Sequence, residues 1–144
     1  MESRNPDFRR VIEAVFDQAA FITDVGIELV DMGPGWCETT LPLAPRHLQQ
    51  NGFVHAGVQA TIADHTAGAA SSTLVAADEY VLTLEFKINL LRAAKGDRLR
   101  CRAQVLKPGS RFTIVESEVY AQSAGRDDQL VSKATISLAV LKQG

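Results

Sequence analysis

The sequence is poor in the residues that build metal centres and disulfide frameworks. Its 144 residues include only two cysteines and three histidines. They form no Cys-x-x-Cys pair and no His-Glu-x-x-His motif, so the spacing disfavours a zinc site. Cys37 and Cys101 are far apart in the chain, and we expect them to be ordinary thiols in a reducing compartment. We therefore predict no metal and no disulfide scaffold.

Excess charge and long apolar runs are also lacking. The formal net charge is −2, so no basic field indicates a nucleic-acid partner. No run approaches the roughly 18 uninterrupted apolar residues of a membrane span. The first ten residues, MESRNPDFRR, do not contain the apolar stretch of a secretory signal. We therefore expect a cytoplasmic protein with neither nucleic acid nor a membrane as partner.

Motifs of several large enzyme classes are missing as well. No Gly-x-Ser-x-Gly elbow, Walker loop or Gly-x-Gly-x-x-Gly turn opens a helix after a strand. Repeats, low-complexity segments and linkers rich in proline or serine are absent, which predicts one domain over residues 1–144. Its first part, residues 1–22, is expected to be a helical segment.

The apolar pattern predicts two helices and six strands. Residues Phe8, Val11, Ile12, Val15 and Phe16 recur at steps of three and four, which indicates a helix from Asp7 to about Ala20. A second helix, from Ala56 to about Val75, is rich in alanine, serine, threonine and glycine, as expected for a helix packed closely on all sides. The predicted strands are Gly26–Met32, Trp36–Leu43, Tyr80–Leu90, Asp97–Leu106, Phe112–Ala121 and Val131–Val140. This order favours an α+β fold in which an antiparallel sheet covers a buried helix.

The segment between His47 and Asp64 is the most informative about chemistry. A polar loop runs directly into the start of the apolar helix, where backbone N–H groups are unpaired and the helix dipole is positive. The N–H groups of Ala56 and Gly57 are thus expected to polarise a carbonyl oxygen. Asp64 lies further along the same helix, among apolar residues. Its carboxylate is either a structural partner, for example of His65 or an arginine, or a general base or nucleophile.

These residues also resemble a known family. Val54-His55-Ala56-Gly57 and Ile62-Ala63-Asp64, followed by the small-residue stretch Ala67–Ser72, are similar to the signature of PaaI-like hotdog thioesterases. The run Thr83 to Asp97 is similar to the strand and turn of that family. The resemblance covers about Gly26 to Val140.

The resemblance implies a hotdog fold, in which an antiparallel sheet wraps a long helix, and hydrolysis of acyl-CoA thioesters without a cofactor. It also implies a homo-oligomer, a dimer or a dimer of dimers (homotetramer), with active sites at the subunit interface. Asp64 matches the catalytic carboxylate, and the Ala56 N–H matches the oxyanion donor. The other catalytic candidates are Gln49, His55 and Thr83, and the substrate-binding candidates are Asn51, Gly57 and Arg111.

Two departures from the family pattern concern the loop. Ala56 replaces the first glycine of the usual pair, and Gln49 replaces the commoner asparagine. The aryl or medium-chain nature of the acyl group stays open at this point. A hotdog hydratase and a non-catalytic acyl-CoA-binding protein are the alternatives, but the Asp…His pair of a hydratase is absent because Asp64 and His65 are adjacent.

Overall fold

The computed structural model describes residues 1–144 and contains an antiparallel sheet wrapped around one long helix. Its elements are α1 (Phe8–Gln18), α2 (Ala20–Val25), β1 (Glu28–Gly33), β2 (Trp36–Pro42), a short 3-10 turn (Pro45–His47), α3 (Ala56–Ser72), β3 (Glu79–Leu90), β4 (Arg98–Lys107), β5 (Phe112–Gln122) and β6 (Gln129–Lys142). The predicted α+β hotdog architecture is therefore confirmed, with all six strands and the central helix close to their predicted bounds. None of the helices is both long and apolar enough to cross a membrane.

The six strands form one sheet in the order β1-β2-β4-β5-β6-β3, so β1 and β3 are its edges. The β1–β2 hairpin closes through Pro34 and Gly35, between the paired residues Gly33 and Trp36. Gly35 has a φ of 87°, which fits the third position of a turn that has proline at its second position. Pro34 and Gly35 thus form the hairpin turn between the first two strands.

Helix α3 is held against the sheet by apolar packing and by a few buried hydrogen bonds. Ile62, Ala63 and Ala67 have no measurable solvent exposure. The Ser117 hydroxyl of β5 donates to the Ala63 carbonyl at 2.8 Å, and the hydroxyls of Thr39 and Thr66 lie 2.7 Å apart. These bonds satisfy polar groups that would otherwise be buried without partners. They fix α3 in position relative to the strands.

The N-terminal helical segment consists of two helices rather than one. Ala19 has a ψ of 93°, outside the helical region, and separates α1 from α2. The sequence predicted a single helix to about Ala20, because the alanines at the junction are compatible with either outcome. Ile12, Phe16 and Ile22 belong to the same buried core as α3 and the sheet, so α1 and α2 pack onto that core.

A β-bulge interrupts β3 at Leu84. Thr83 pairs with Leu138 of β6 and Glu85 pairs with Ser137, so Leu84 has no partner. Residues paired directly across two strands point to the same face of a sheet. Thr83 and Phe86 pair with the buried residues Leu138 and Ile136 and therefore both face α3. In an unbroken strand, residues three apart would face opposite sides.

The outer edge of β3 is long and apolar. Leu82, Leu84, Phe86 and Leu90 are between 43% and 58% exposed. The strand has twelve residues and pairs only with β6. Such an edge offers a row of unpaired backbone groups to another chain.

Candidate active site

The loop before α3 is closed on itself by its own backbone and by the Gln49 side chain. Leu48 and Val54 form an isolated antiparallel bridge, and the Gln49 N–H donates to the Phe53 carbonyl at 2.8 Å. The side-chain oxygen of Gln49 accepts from the N–H groups of Asn51 and Phe53. Its amide nitrogen makes no hydrogen bond within the chain. Gln49 thus stabilises the loop with its oxygen and keeps two N–H donors for a ligand.

His55 caps the start of α3. Its Nδ1 accepts a hydrogen bond of 2.8 Å from the Gly57 N–H. In a neutral ring with Nδ1 as acceptor, the proton lies on Nε2. Because the Gly57 N–H is occupied, the expectation of two free donors at this helix start is corrected to one. The structure thus gives His55 a positioning role in the turn.

The Ala56 N–H is the free donor. Ala56 is the first residue of α3, and its N–H has no acceptor within the chain. The methyl side chain is exposed at this point, so a ligand can approach the backbone. Together with the helix dipole, this N–H is suited to an oxygen that gains negative charge.

Asp64 is bound by Thr83. The Thr83 hydroxyl donates to Oδ1 of Asp64 at 2.6 Å, from β3 to α3. Asp64 is partly buried and forms no ion pair with an arginine or lysine. Neither structural partner considered from the sequence, His65 or an arginine, bonds to the carboxylate. Oδ2 of Asp64 is left without a partner and can face a substrate or a water molecule.

His65 lies beside Asp64 but packs against α1. Its ring meets the Phe16 ring edge-on, with centroids 4.6 Å apart. Burial lowers the pKa of His65, and the nearby charge of Asp64 opposes this effect only in part. Burial therefore favours the neutral form of His65, and its ring packs against α1.

The candidate residues fall into two separate cavities. Gln49, His55 and Ala56 line a cavity of about 440 Å³ at the start of α3. Asp64 and Thr83 line another, of about 430 Å³, between α1, α3 and β3. Asp64 follows Ala56 by eight residues, which is about 12 Å along a helix. One carbonyl group cannot touch both sites within a single chain.

The three substrate-binding candidates are placed differently. Gly57 lies in the turn that His55 caps. Asn51 is exposed at the tip of the loop, and Arg111 is exposed next to Phe112 on β5. Neither lines either of these two cavities. Arg92, immediately after β3, lines the cavity that contains Gln49 and Ala56.

The comparisons with known proteins decide the family. The family model described as the thioesterase superfamily matches residues 51–126, which include the loop from Asn51 onward, α3 and Thr83. The chain belongs to the thioesterase superfamily. It is a thioester hydrolase.

Similar proteins agree with this assignment to the thioesterase superfamily. The crystal structure of a thioesterase family protein from Silicibacter pomeroyi is 31% identical, with a TM-score of 0.91 over 94% of this chain and 99% of that one. A Pasteurella multocida protein that carries the name of an esterase is 28% identical over 88% of each chain. The 1,4-dihydroxy-2-naphthoyl-CoA hydrolase of Escherichia coli is 24% identical over 80% of this chain and 82% of that protein.

Several residues that line the two cavities of this thioester hydrolase were not among the site residues predicted from the sequence. Arg92 lines the cavity of Gln49 and Ala56, and its place shortly after a strand that ends beside this cavity was a usable signal. Gly68, Val15 and Leu138 line the Asp64 cavity. Nothing in the linear sequence connects these three residues, because they lie on different elements.

Proposed function

We propose that this thioester hydrolase is an acyl-CoA thioesterase in which Asp64 supplies the reacting carboxylate. The observation that carries the proposal is the bond from Thr83 to Oδ1 of Asp64, which fixes the carboxylate and leaves its other oxygen free. The free Ala56 N–H and the amide nitrogen of Gln49 supply the donors that a thioester oxygen needs.

The complete active site is proposed to form between two chains. The donor group at the α3 start and the Asp64–Thr83 pair are about 12 Å apart along the helix of one chain. A second copy can bring its Asp64 to the first copy's Ala56. The apolar edge of β3 supports such an assembly, because pairing two copies of this strand would satisfy its backbone groups and cover Leu82 and Leu84. Dimer and dimer of dimers are both compatible with this proposal.

The proposed reaction begins with the thioester carbonyl bound at the α3 start. Its oxygen accepts from the Ala56 N–H and from the Gln49 amide, which stabilise the negative charge that forms as the carbonyl carbon is attacked. If Asp64 acts as general base, it takes a proton from water, and the resulting hydroxide adds to the carbon. If Asp64 is the nucleophile, its free oxygen adds directly and forms an anhydride that water then hydrolyses. In both routes the carbon–sulfur bond breaks and CoA leaves as thiol.

The substrate is proposed to be an aryl- or medium-chain acyl-CoA. The cavity beside Asp64 is lined by more apolar than polar side chains, which suits a hydrocarbon group. Arg92 is the one arginine or lysine that lines the cavity of the donor group, and we propose that it contacts a CoA phosphate in preference to Arg111. The name of the Escherichia coli relative, with its aryl-CoA substrate, is compatible with this class.

The proposed location is the cytoplasm. Cys37 and Cys101 are free and buried, as in a protein from a reducing compartment. Burial raises the pKa of each thiol to about 12. Both side chains are therefore inert packing residues, and neither is a nucleophile for the reaction.

The test is release of CoA thiol from a panel of aryl- and alkyl-acyl-CoA substrates. The unsubstituted protein should hydrolyse some of them, and Asp64→Asn should lower kcat by about 10²–10⁴. Single turnover in heavy-oxygen water then tests the nucleophile route, because solvent oxygen enters Asp64 only when an anhydride forms and water attacks it at the Asp64 carboxyl carbon. Binding of the whole panel without CoA release, or full activity of Asp64→Asn, would overturn the proposal.

A further inference from the structure

The cavity beside Asp64 is a groove that runs along α3 and β3. On α3 its lining extends from Asp64 to Ser72, which is about 12 Å along the helix. On β3 the lining extends from Thr83 back to Tyr80, which is about 10 Å of strand. The two stretches run side by side, so the groove begins at the Asp64–Thr83 pair and continues away from it between α3 and β3.

Gly68 forms the middle of one wall. A Cβ built at this position would meet only one atom within 4 Å, Cδ2 of Leu138 at 4.0 Å. Glycine is unfavourable inside a helix compared with alanine, and no neighbouring atom in the chain requires its small size. The space over Gly68 is the groove itself.

The opposite wall belongs to α1. Ile12 and Val15 line the groove, and Val15 is 46% exposed. Val11 lies one turn earlier on α1 and is 43% exposed, but it does not line the groove. The family model begins only at residue 51, so this wall is a feature of the chain outside the matched region.

We propose that the groove holds an unbranched medium-chain acyl group, and that Gly68 and Val15 set the length it accepts. The inference rests on the proposed function, since it takes Asp64 as the site of the thioester. A chain that extends from the reacting carbonyl passes between these two residues and buries its methylene groups against Leu138. Each buried methylene group contributes about the same free energy, so affinity rises with chain length until the groove is full.

The experiment measures Kd by calorimetry for CoA thioethers that cannot be hydrolysed, S-hexyl-CoA and S-decyl-CoA. In the unsubstituted protein we expect the decyl compound to bind about tenfold more tightly, or better. Gly68→Leu and Val15→Phe fill the groove from its two sides and should remove this preference, because they close the part of the groove that the longer chain occupies. Val11→Phe is the matched control, because it adds the same ring to the same helix outside the groove, and it should keep the preference.

The outcomes also separate this inference from the proposed function. If the thioethers show the expected length preference but no acyl-CoA is hydrolysed, the proposed function fails and the groove assignment stands. Equal Kd values for the two thioethers, or no binding of either, overturn the groove assignment whatever the protein hydrolyses. An unchanged preference in both Gly68→Leu and Val15→Phe, with thermal unfolding showing folded protein, overturns it as well.

Discussion

Thr83 on β3 donates a hydrogen bond of 2.6 Å to the Asp64 carboxylate on α3. A hydrogen bond to a charged group is worth about 1.5–3 kcal/mol. If the bond holds the carboxylate in its reactive orientation, Thr83→Val should lower kcat about tenfold or more, whereas Thr83→Ser should stay within about threefold. The measurement is initial-rate CoA release. Thr135→Val, at an exposed position of β6, is the control, and equal losses in both valine variants would contradict the role of Thr83.

The free N–H of Ala56 can be removed without removing the helix. Proline is favoured at the first position of a helix, where its missing N–H is not needed for an internal bond. His55, with φ −60° and ψ 139°, already has the conformation that a residue before proline prefers. Ala56→Pro should therefore lower kcat by about 10²–10³, the cost of losing an oxyanion donor.

The matched control for this variant is Ala56→Gly, which keeps the N–H and restores the glycine of the family pattern. It should retain activity, and both variants should unfold at nearly the temperature of the unsubstituted protein. Wild-type kcat in Ala56→Pro would show that this N–H does not contact the thioester.

Mixing two inactive variants tests whether each site uses two chains. Asp64→Asn keeps an intact donor loop, and Gln49→Ala keeps an intact Asp64–Thr83 pair. A mixed dimer then contains one site with both halves intact. After unfolding and refolding together in equal amounts, half of the dimers should be mixed, which predicts about a quarter of the unsubstituted activity.

Recovery should require co-refolding or subunit exchange, so mixing the two variants just before the assay is the control. If co-refolded protein stays as inactive as the separate variants, each chain carries a complete site and the interface proposal is wrong.

The burial of His65 predicts a loss of stability in mild acid. Burial lowers the pKa of His65 in the folded protein, whereas the unfolded chain has the ordinary value of about 6.5. Below that pH the unfolded state binds more protons than the folded state. The free energy of unfolding therefore has its full value above about pH 6.5, decreases as the pH falls below this value, and levels off below the folded pKa. His65→Gln should flatten this dependence in denaturant titrations between about pH 5 and 7. The same slope in His65→Gln would assign the effect to another group.

The same decrease in pH should destabilise the packing of α1 on the core. His65 contacts Phe16 of α1 edge-on, and a charged ring is costly at this buried contact. Amide exchange at Phe16 should therefore become faster relative to exchange in β5 as the pH falls, and His65→Gln should suppress the difference.

The periodic elements of the fold could be predicted from the sequence, because each depends on local alternation or on helical spacing. The strand from Tyr80 to Leu90 is an instructive exception. Its alternation is unbroken from Leu82 to Ile88, which would place Thr83 on the face of Glu85 and Lys87. The bulge at Leu84 reverses this assignment for the first part of the strand. It depends on pairing with β6, a long-range property that a local pattern does not contain.

The candidate site was predictable as a set of residue types but not as a set of contacts. The start of α3 was identified from the loop–helix junction, and the Ala56 donor follows from it. The hydrogen bond from the Gly57 N–H to His55 was not predictable, because it depends on the orientation of the His55 ring. The bond between Asp64 and Thr83 joins residues nineteen positions apart, and only the packing of β3 beside α3 brings them together.

The bulge at Leu84 makes this position tolerant of substitution and of deletion alike. Its side chain is 58% exposed, so many substitutions should leave the monomer folded. Deleting the residue should also be tolerated, because Leu84 is the extra residue of the bulge. Thr83 and Glu85 would become neighbours, as their partners Leu138 and Ser137 already are, and Thr83 would still face α3. A library of variants should thus accept almost any amino acid at this position and also the loss of the residue.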